Sequence, residues 1–340
     1  MNCSCHSRQA KLRRSIKIPR SMSTARRITA QSIEEARARI GAEFLDSRQV
    51  EDAALSHAVG AELLCKIELE NPVGSFKGRG TDSFVGALPR DVKTLVTASA
   101  GNFGLALAYT AKRRGIQVTV YAAERASPIK LERIRAAGGV LKISGRDFDE
   151  AKDHARAAAA ETGSMFVEDG REPEITSGAG TMGMELTGGS RRIDTLVVPL
   201  GNGALLAGLG CWFRARSPKT RIVGVCAEGA PSMALSWRSQ SIQSTPGVDT
   251  IADGIAVRVP VPEALADLEG VIDDIVLVSD DSLRHAMKIV HQYLRVAAEP
   301  AGVAGVAALL SHSVMAKGLT ATPITGGNLT QEQIERWLLC

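Results

Sequence analysis

Four short glycine-containing segments hold the side chains best suited to chemistry: Ser75-Phe76-Lys77-Gly78-Arg79-Gly80, Ser99-Ala100-Gly101-Asn102-Phe103-Gly104, Gly201-Asn202-Gly203-Ala204-Leu205 and Thr325-Gly326-Gly327-Asn328. A lysine in partly desolvated surroundings presents a nucleophilic amine, the group that forms Schiff bases, and Lys77 is placed for that. Glycines let backbone N–H groups approach a ligand closely. A helix starting after Gly203 would offer free amides and a dipole to an anion such as phosphate. Each segment also has an ordinary explanation: Lys77 as a surface lysine after a loop, the glycines as helix caps, Asn102 as an N-cap. Taken together, the four favour a ligand site.

The elements that would position them follow an α/β pattern from residue 64 onward, with short β-type runs alternating with longer helical ones. Strands are expected at Leu64–Leu69, Lys93–Thr97, Gln117–Tyr121, Val140–Ser144, Thr195–Leu200, Arg221–Ala227, Asp274–Val278 and Thr322–Thr325. Helices are expected at Asn102–Arg114, Pro128–Ala137, Asp147–Thr162, Ala204–Arg216 and Ser282–Arg295, from apolar positions three and four apart. An amphipathic, charged helix at Ile33–Leu45 should pack on the outside. The run from about 94 to 168 reads as a compact unit, so two open parallel sheets are expected, with a ligand in the cleft at their carboxyl ends. That division gives a basic disordered tail over 1–27, a large cofactor-binding domain over 28–93 plus 169–340, and a small mobile domain over 94–168.

A dinucleotide site is the rival reading. Strand Thr195–Leu200 runs into Gly201-Asn202-Gly203, and Glu228 follows the next strand, where an acidic residue would hold a ribose. The next glycine is Gly208, out of step with that fingerprint, and an NAD-dependent oxidoreductase would leave Lys77, Asn102 and Thr325 without a role.

Composition excludes other classes. Residues 1–27 carry eight Lys or Arg and no acid; without them 33 basic residues face 37 acidic ones, so the body sits at about −4 and no nucleic-acid groove is implied. No apolar run suits a signal peptide or a bilayer span. The leader reads as a disordered extension with Met22 as an alternative start; a transit peptide and a metal site at Cys3-Ser4-Cys5-His6 are the other readings. Cys65, Cys211 and Cys226 lie in apolar runs and are expected as core residues, in keeping with a reducing cytoplasm.

From about Ile33 to the C-terminus the chain resembles the fold-type II pyridoxal-phosphate enzymes, and within them the threonine and serine dehydratases. The resemblance rests on Pro72-Val73-Gly74-Ser75-Phe76-Lys77-Gly78-Arg79-Gly80, Thr97-Ala98-Ser99-Ala100-Gly101-Asn102, Ala252-Asp253-Gly254-Ile255-Ala256-Val257, Glu299-Pro300-Ala301-Gly302 and Thr325-Gly326-Gly327-Asn328. It implies a tryptophan synthase β-like fold with pyridoxal 5'-phosphate in the cleft. Lys77 would hold the cofactor as a Schiff base and, once released, serve as base. Asn102 would touch the cofactor's 3-oxygen, Gly201, Asn202, Gly203, Ala204 and Leu205 the phosphate, and Thr325 the pyridine nitrogen. Phe76 would cover a ring face, and Gly254 would join the cofactor site. Ser99, Ala100, Gly101 and Asn102 would take the substrate carboxylate.

The implied reaction is α,β-elimination on a 3-hydroxy L-amino acid such as L-threonine or L-serine, giving a 2-oxo acid and ammonia, with the cofactor phosphate protonating the leaving hydroxyl. Threo-3-hydroxyaspartate and phenylserine are alternative substrates. Three departures bear on this choice: Phe103 where the family has histidine, Asn202 and Ala204 within its tetraglycine, and Glu168-Asp169-Gly170-Arg171-Glu172-Pro173 where it has a Pro-Phe-Asp-like loop. Arg171 raises the prospect of an acidic substrate. Ala100 replaces the serine of the racemases, which argues against racemisation. The cation site of some relatives would need a carboxylate at Ala234, so no metal is expected. A homodimer is expected, and the end at Cys340 leaves no room for an isoleucine-binding regulatory domain.

Overall fold

The computed structural model describes residues 26–312, 316 and 318–339. Met22 and the Cys3-Ser4-Cys5-His6 cluster lie outside the described residues. In chain order the strands are β1 (Gln49–Glu51), β2 (Leu63–Ile67), β3 (Thr94–Ala98), β4 (Gln117–Ala122), β5 (Val140–Ile143), β6 (Met165–Phe166), β7 (Thr195–Pro199), β8 (Arg221–Ala227), β9 (Asp274–Val278) and β10 (Thr320–Ile324). The helices are α1 (Ala30–Arg37), α2 (Ala53–Val59), α3 (Lys77–Ala87), α4 (Asn102–Lys112), α5 (Pro128–Ala136), α6 (Phe148–Thr162), α7 (Pro173–Thr187), α8 (Ala204–Arg216), α9 (Ser232–Ser239), α10 (Pro262–Asp267), α11 (Asp280–Leu294), α12 (Ala304–Ser311) and α13 (Gln331–Leu338).

Two sheets form, as expected. The larger has the order β1-β2-β10-β7-β8-β9 and is parallel except at its antiparallel edge strand β1; the smaller, β5-β4-β3-β6, is parallel throughout. Strands β2, β7 and β10 are buried along their whole length, as parallel strands covered on both faces are. The core of the small sheet draws on Phe84 and Val85 of α3 and Ile175 of α7, so the two halves share packing. Cys65, Cys211 and Cys226 are buried free thiols, as anticipated.

Three expectations need correction. The amphipathic helix stops at Arg37, and a 3₁₀ turn at Ala42–Phe44 follows Gly41, whose N–H donates to Asp82 at 2.7 Å. It does not lie outside either: Ile33 and Ala36 are fully buried, Ile33 in one apolar cluster with Ala179 and Met182. Arg27, placed in the tail, is anchored to Asp267 at 2.6 Å.

The lysine segment is helical from Lys77, which opens α3. Gly80 and Gly178 sit where α3 crosses α7; a Cβ on Gly80 would lie 2.7 Å from the Ile175 carbonyl, and one on Gly178 2.5 Å from the Arg79 carbonyl. Gly78 faces the Phe44 ring with no room for a side chain. These glycines serve helix packing, and the ligand gets its close approach elsewhere.

Candidate active site

Both sheets reverse their strand order at a point that faces the same cleft. In the small sheet the chain moves from β3 out to β4 and β5, then returns to β6 on the other side of β3; in the large sheet β8 and β9 lie on one side of β7 and β10 on the other. Loops leaving such switch points diverge and open a crevice at the carboxyl ends of the strands. The ends of β3 and β6 bring Ser99–Asn102 and Glu168–Asp169, and those of β7 and β10 bring Gly201–Leu205 and Thr325. Together they line a cavity of about 620 Å³. Every expected site residue borders it: Phe76, Lys77, Ser99, Ala100, Gly101, Asn102, Gly201, Asn202, Gly203, Ala204, Leu205, Gly254 and Thr325. Two residues raised by the other readings do not, since Arg171 is on the surface near Glu263 and Glu228 is exposed.

Lys77 projects into the cavity with its ammonium 4.4 Å from the centroid of the Phe76 ring and 2.7 Å from Asp169 Oδ2. Opposite, Gly203 takes a left-handed φ of 99° to turn into α8, and no side chain caps that helix. Its first-turn amides are therefore left for an anion. Gly201 is pressed against Gly254, where a Cβ would lie 2.8 Å from the Gly254 carbonyl. On the β3 side Ser99 Oγ accepts from the N–H groups of Gly101 (3.2 Å) and Gly104 (3.0 Å), leaving its own O–H to donate.

Asn102 is locked from both ends. Its Nδ2 donates to Glu299 at 2.6 Å and its Oδ1 accepts from Asn328 at 2.8 Å. Burial, reinforced by nearby Asp253, pushes the Glu299 carboxyl up to about 7. The cations of the cavity wall other than Lys77 are paired: Lys130 with Asp253, Arg258 with Asp149, and Lys152 with Glu168 at 3.1 Å. Glu299 appeared in the sequence only as part of a motif, and Asp169 only as a departure from one. Their roles depend on partners 197 and 92 residues away, a signal no local pattern carries.

Comparison with known proteins settles the class. The family model described as pyridoxal-phosphate dependent enzyme matches residues 48–325. The chain belongs to that family. It is similar to the L-threonine ammonia-lyase of Thermotoga maritima, 30% identical over 311 residues covering 91% of this chain and 78% of that protein. The enzyme of the same name from Geobacter sulfurreducens is 32% identical over 305 residues, 89% of this chain and 76% of its own length. The structure of maize serine racemase superposes with a TM-score of 0.85 at 29% identity, covering 91% of this chain and 96% of that one.

Pyridoxal phosphate is thus the cofactor of this enzyme, and the cavity fits it. A primary amine, an uncapped helix start for a dianion and a hydroxyl on Thr325 that bonds to no described residue answer the cofactor's aldehyde, phosphate and ring nitrogen. Among the described residues no cluster of His, Cys, Asp and Glu is arranged to hold a metal, and no helix is long and apolar enough to cross a membrane.

Glu299 gives this pyridoxal-phosphate enzyme a signed pH dependence. A carboxyl whose folded pKa lies above its unfolded value contributes stability that is fully present below about pH 4.5 and is lost as pH rises through about 7. Glu299→Gln should therefore melt at a higher temperature than the unaltered enzyme at pH 8 and at a similar one at pH 5, by differential scanning calorimetry. Equal shifts at both pH values would disprove the assignment.

Proposed function

We propose that this enzyme is an ammonia-lyase that eliminates water from a 3-hydroxy L-amino acid, with L-threonine and L-serine as substrates, and releases the 2-oxo acid and ammonia. The observation that carries the reading is the Lys77 amine sharing one cavity with the uncapped start of α8 and the neutral Thr325 hydroxyl. When bound, the cofactor withdraws electrons from the substrate α-carbon and makes its hydrogen acidic. Lys77 carries the cofactor between turnovers and, once displaced, takes the α-proton as general base. Ser99 O–H and the backbone of Ala100 and Gly101 hold the substrate carboxylate, and Asn102, fixed by Glu299 and Asn328, faces the cofactor ring. Gly201 to Leu205 cradle the phosphate, Gly254 backs that loop, and Phe76 lies against the ring.

A hydroxyl at Thr325 cannot hold a proton on the ring nitrogen as a carboxylate would. Negative charge is then poorly stored, which favours prompt loss of the β-substituent over transamination. Ala100 offers no second proton donor for racemisation. Residues 94–168 are taken as a mobile small domain, a division supported by the ion pairs Lys130–Asp253 and Arg258–Asp149 that bridge the cleft. The functional unit is taken as a cytoplasmic homodimer.

Side-chain preference is tested by offering L-threonine, L-serine, threo-3-hydroxyaspartate and 3-phenylserine, scoring ammonia and 2-oxo acid. Ammonia with 2-oxobutanoate from threonine or pyruvate from serine is expected; a cofactor-loaded protein that releases none from any of the four overturns the reading. Phenylserine is the second choice, because Phe148, Val248 and Val259 present exposed apolar surface at the cavity wall. Hydroxyaspartate ranks last, since the wall cations Lys130, Lys152 and Arg258 already have carboxylate partners.

A further inference from the structure

Asp169 stands apart from the other acids of the cavity. Glu168 beside it is saturated by Lys152 at 3.1 Å and Arg156 at 2.6 Å, whereas Asp169 has Lys77 as its ionic partner among the described residues. Asp169 is 8% exposed, and its second oxygen, Oδ1, is buried with no hydrogen-bond partner among the described residues. A buried carboxylate oxygen left bare is costly unless something fills the position during function. Once the Lys77 nitrogen is engaged by cofactor, Oδ2 loses its partner too.

We propose that Asp169 is the catalytic acid that protonates the departing β-hydroxyl, and that it exchanges this proton with Lys77. The inference rests on the elimination reading above. Position supports it: the leaving oxygen is two bonds from the carbon that Lys77 deprotonates, and Asp169 lies within hydrogen-bond distance of the same amine. The step balances within the pair. Neutral Lys77 takes the α-proton as the Cα–H bond breaks, and that electron pair becomes the α,β double bond as the Cβ–O bond breaks. The oxygen leaves with the proton of Asp169 as water. The pair is then ammonium and carboxylate, the ion pair seen at 2.7 Å. When Lys77 returns to the cofactor it gives up its extra proton to Asp169, and the acid is ready again. No co-reactant is required.

A general acid matters only when the leaving group needs a proton. Chloride does not, so 3-chloro-L-alanine separates the acid role from every other. With Asp169→Asn, kcat on L-serine and L-threonine should fall about 100-fold or more, the range of a lost general acid, while kcat on 3-chloro-L-alanine should fall less than about tenfold. Asp169→Ala is the second variant, in case the asparagine protein folds poorly. Both should keep the near-visible cofactor band, bind pyridoxal phosphate with a similar Kd, and melt within a few degrees of the unaltered enzyme. Equal losses on chloro and hydroxy substrates, or loss of the band, would overturn the acid role in favour of positioning or cofactor retention. If the unaltered enzyme releases ammonia from neither substrate type, the elimination reading fails and takes this inference with it.

Discussion

Purified Lys77→Ala is expected to lose both its near-visible cofactor absorbance and its turnover, the latter by about 10⁴-fold or more, because one side chain serves as carrier and base. The fold should survive. Lys77 sits at the first position of α3, partly exposed to the cavity, and its contacts are the Phe76 ring and Asp169. Its removal leaves no core void but strands the Asp169 carboxylate, so a modest drop in melting temperature should accompany the loss of activity. Adding methylamine should return part of the turnover, since a free amine can enter the space and act as base. The discriminating comparison is the absorbance spectrum of dialysed protein beside ammonia release from L-threonine. Undiminished turnover by the alanine variant would end the assignment.

The parts of this site that were legible in the sequence are those where geometry is local. Gly201-Asn202-Gly203 and Thr325-Gly326-Gly327-Asn328 follow buried apolar strands directly, so strand, turn and ligand loop are encoded within a dozen residues. Strands β8 and β9 came out with their bounds intact for the same reason. Where tertiary packing overrode local preference, the reading failed. Three glycines per turn-rich stretch argue against a helix, yet α3 holds Gly78, Gly80 and Gly86, and α7 holds Gly178, Gly180 and Gly183, because bare backbone lets helices cross closely. Strands β1 and β6 span three and two residues, too short for any alternation to show. Asp169 and Glu299 were present as letters, but their chemistry lies in what folding sets against them.

Arg79→Met should be the most destabilising single change outside the hydrophobic core, by about 3–5 kcal/mol. Arg79 is 1% exposed, and its guanidinium reaches both Glu68 oxygens at 2.8 Å and Glu185 at 2.6 and 2.9 Å. Lys66, fully buried in β2, contacts Glu185 at 2.5 Å, and the partly exposed Arg37 reaches the same carboxylate at 3.4 Å. Burial opposes the Glu185 charge, but Arg79 and Lys66 outweigh it and hold the carboxyl down to about 2. Removing the arginine strips buried Glu68 of its ion pair and leaves Glu185 with Lys66 and the longer contact to Arg37, and the missing solvation of Glu68 is what destabilises. The sign of the pH dependence follows from the depressed Glu185. Its contribution is present above about pH 4.5 and is lost as pH falls towards 2, so the gap between variant and unaltered enzyme should be widest near neutrality and close on acidification. Urea unfolding at pH 7 and pH 3 measures this. Pairing Arg79→Met with Glu68→Gln should recover part of the loss, since the second change removes a charge that the first left unpaired. Because Arg79 lies two residues beyond Lys77 on α3, any loosening of this network should also appear as weaker cofactor retention; a variant that unfolds easily yet holds pyridoxal phosphate as tightly as before would show that the helix start is fixed by the α3–α7 glycine crossing instead.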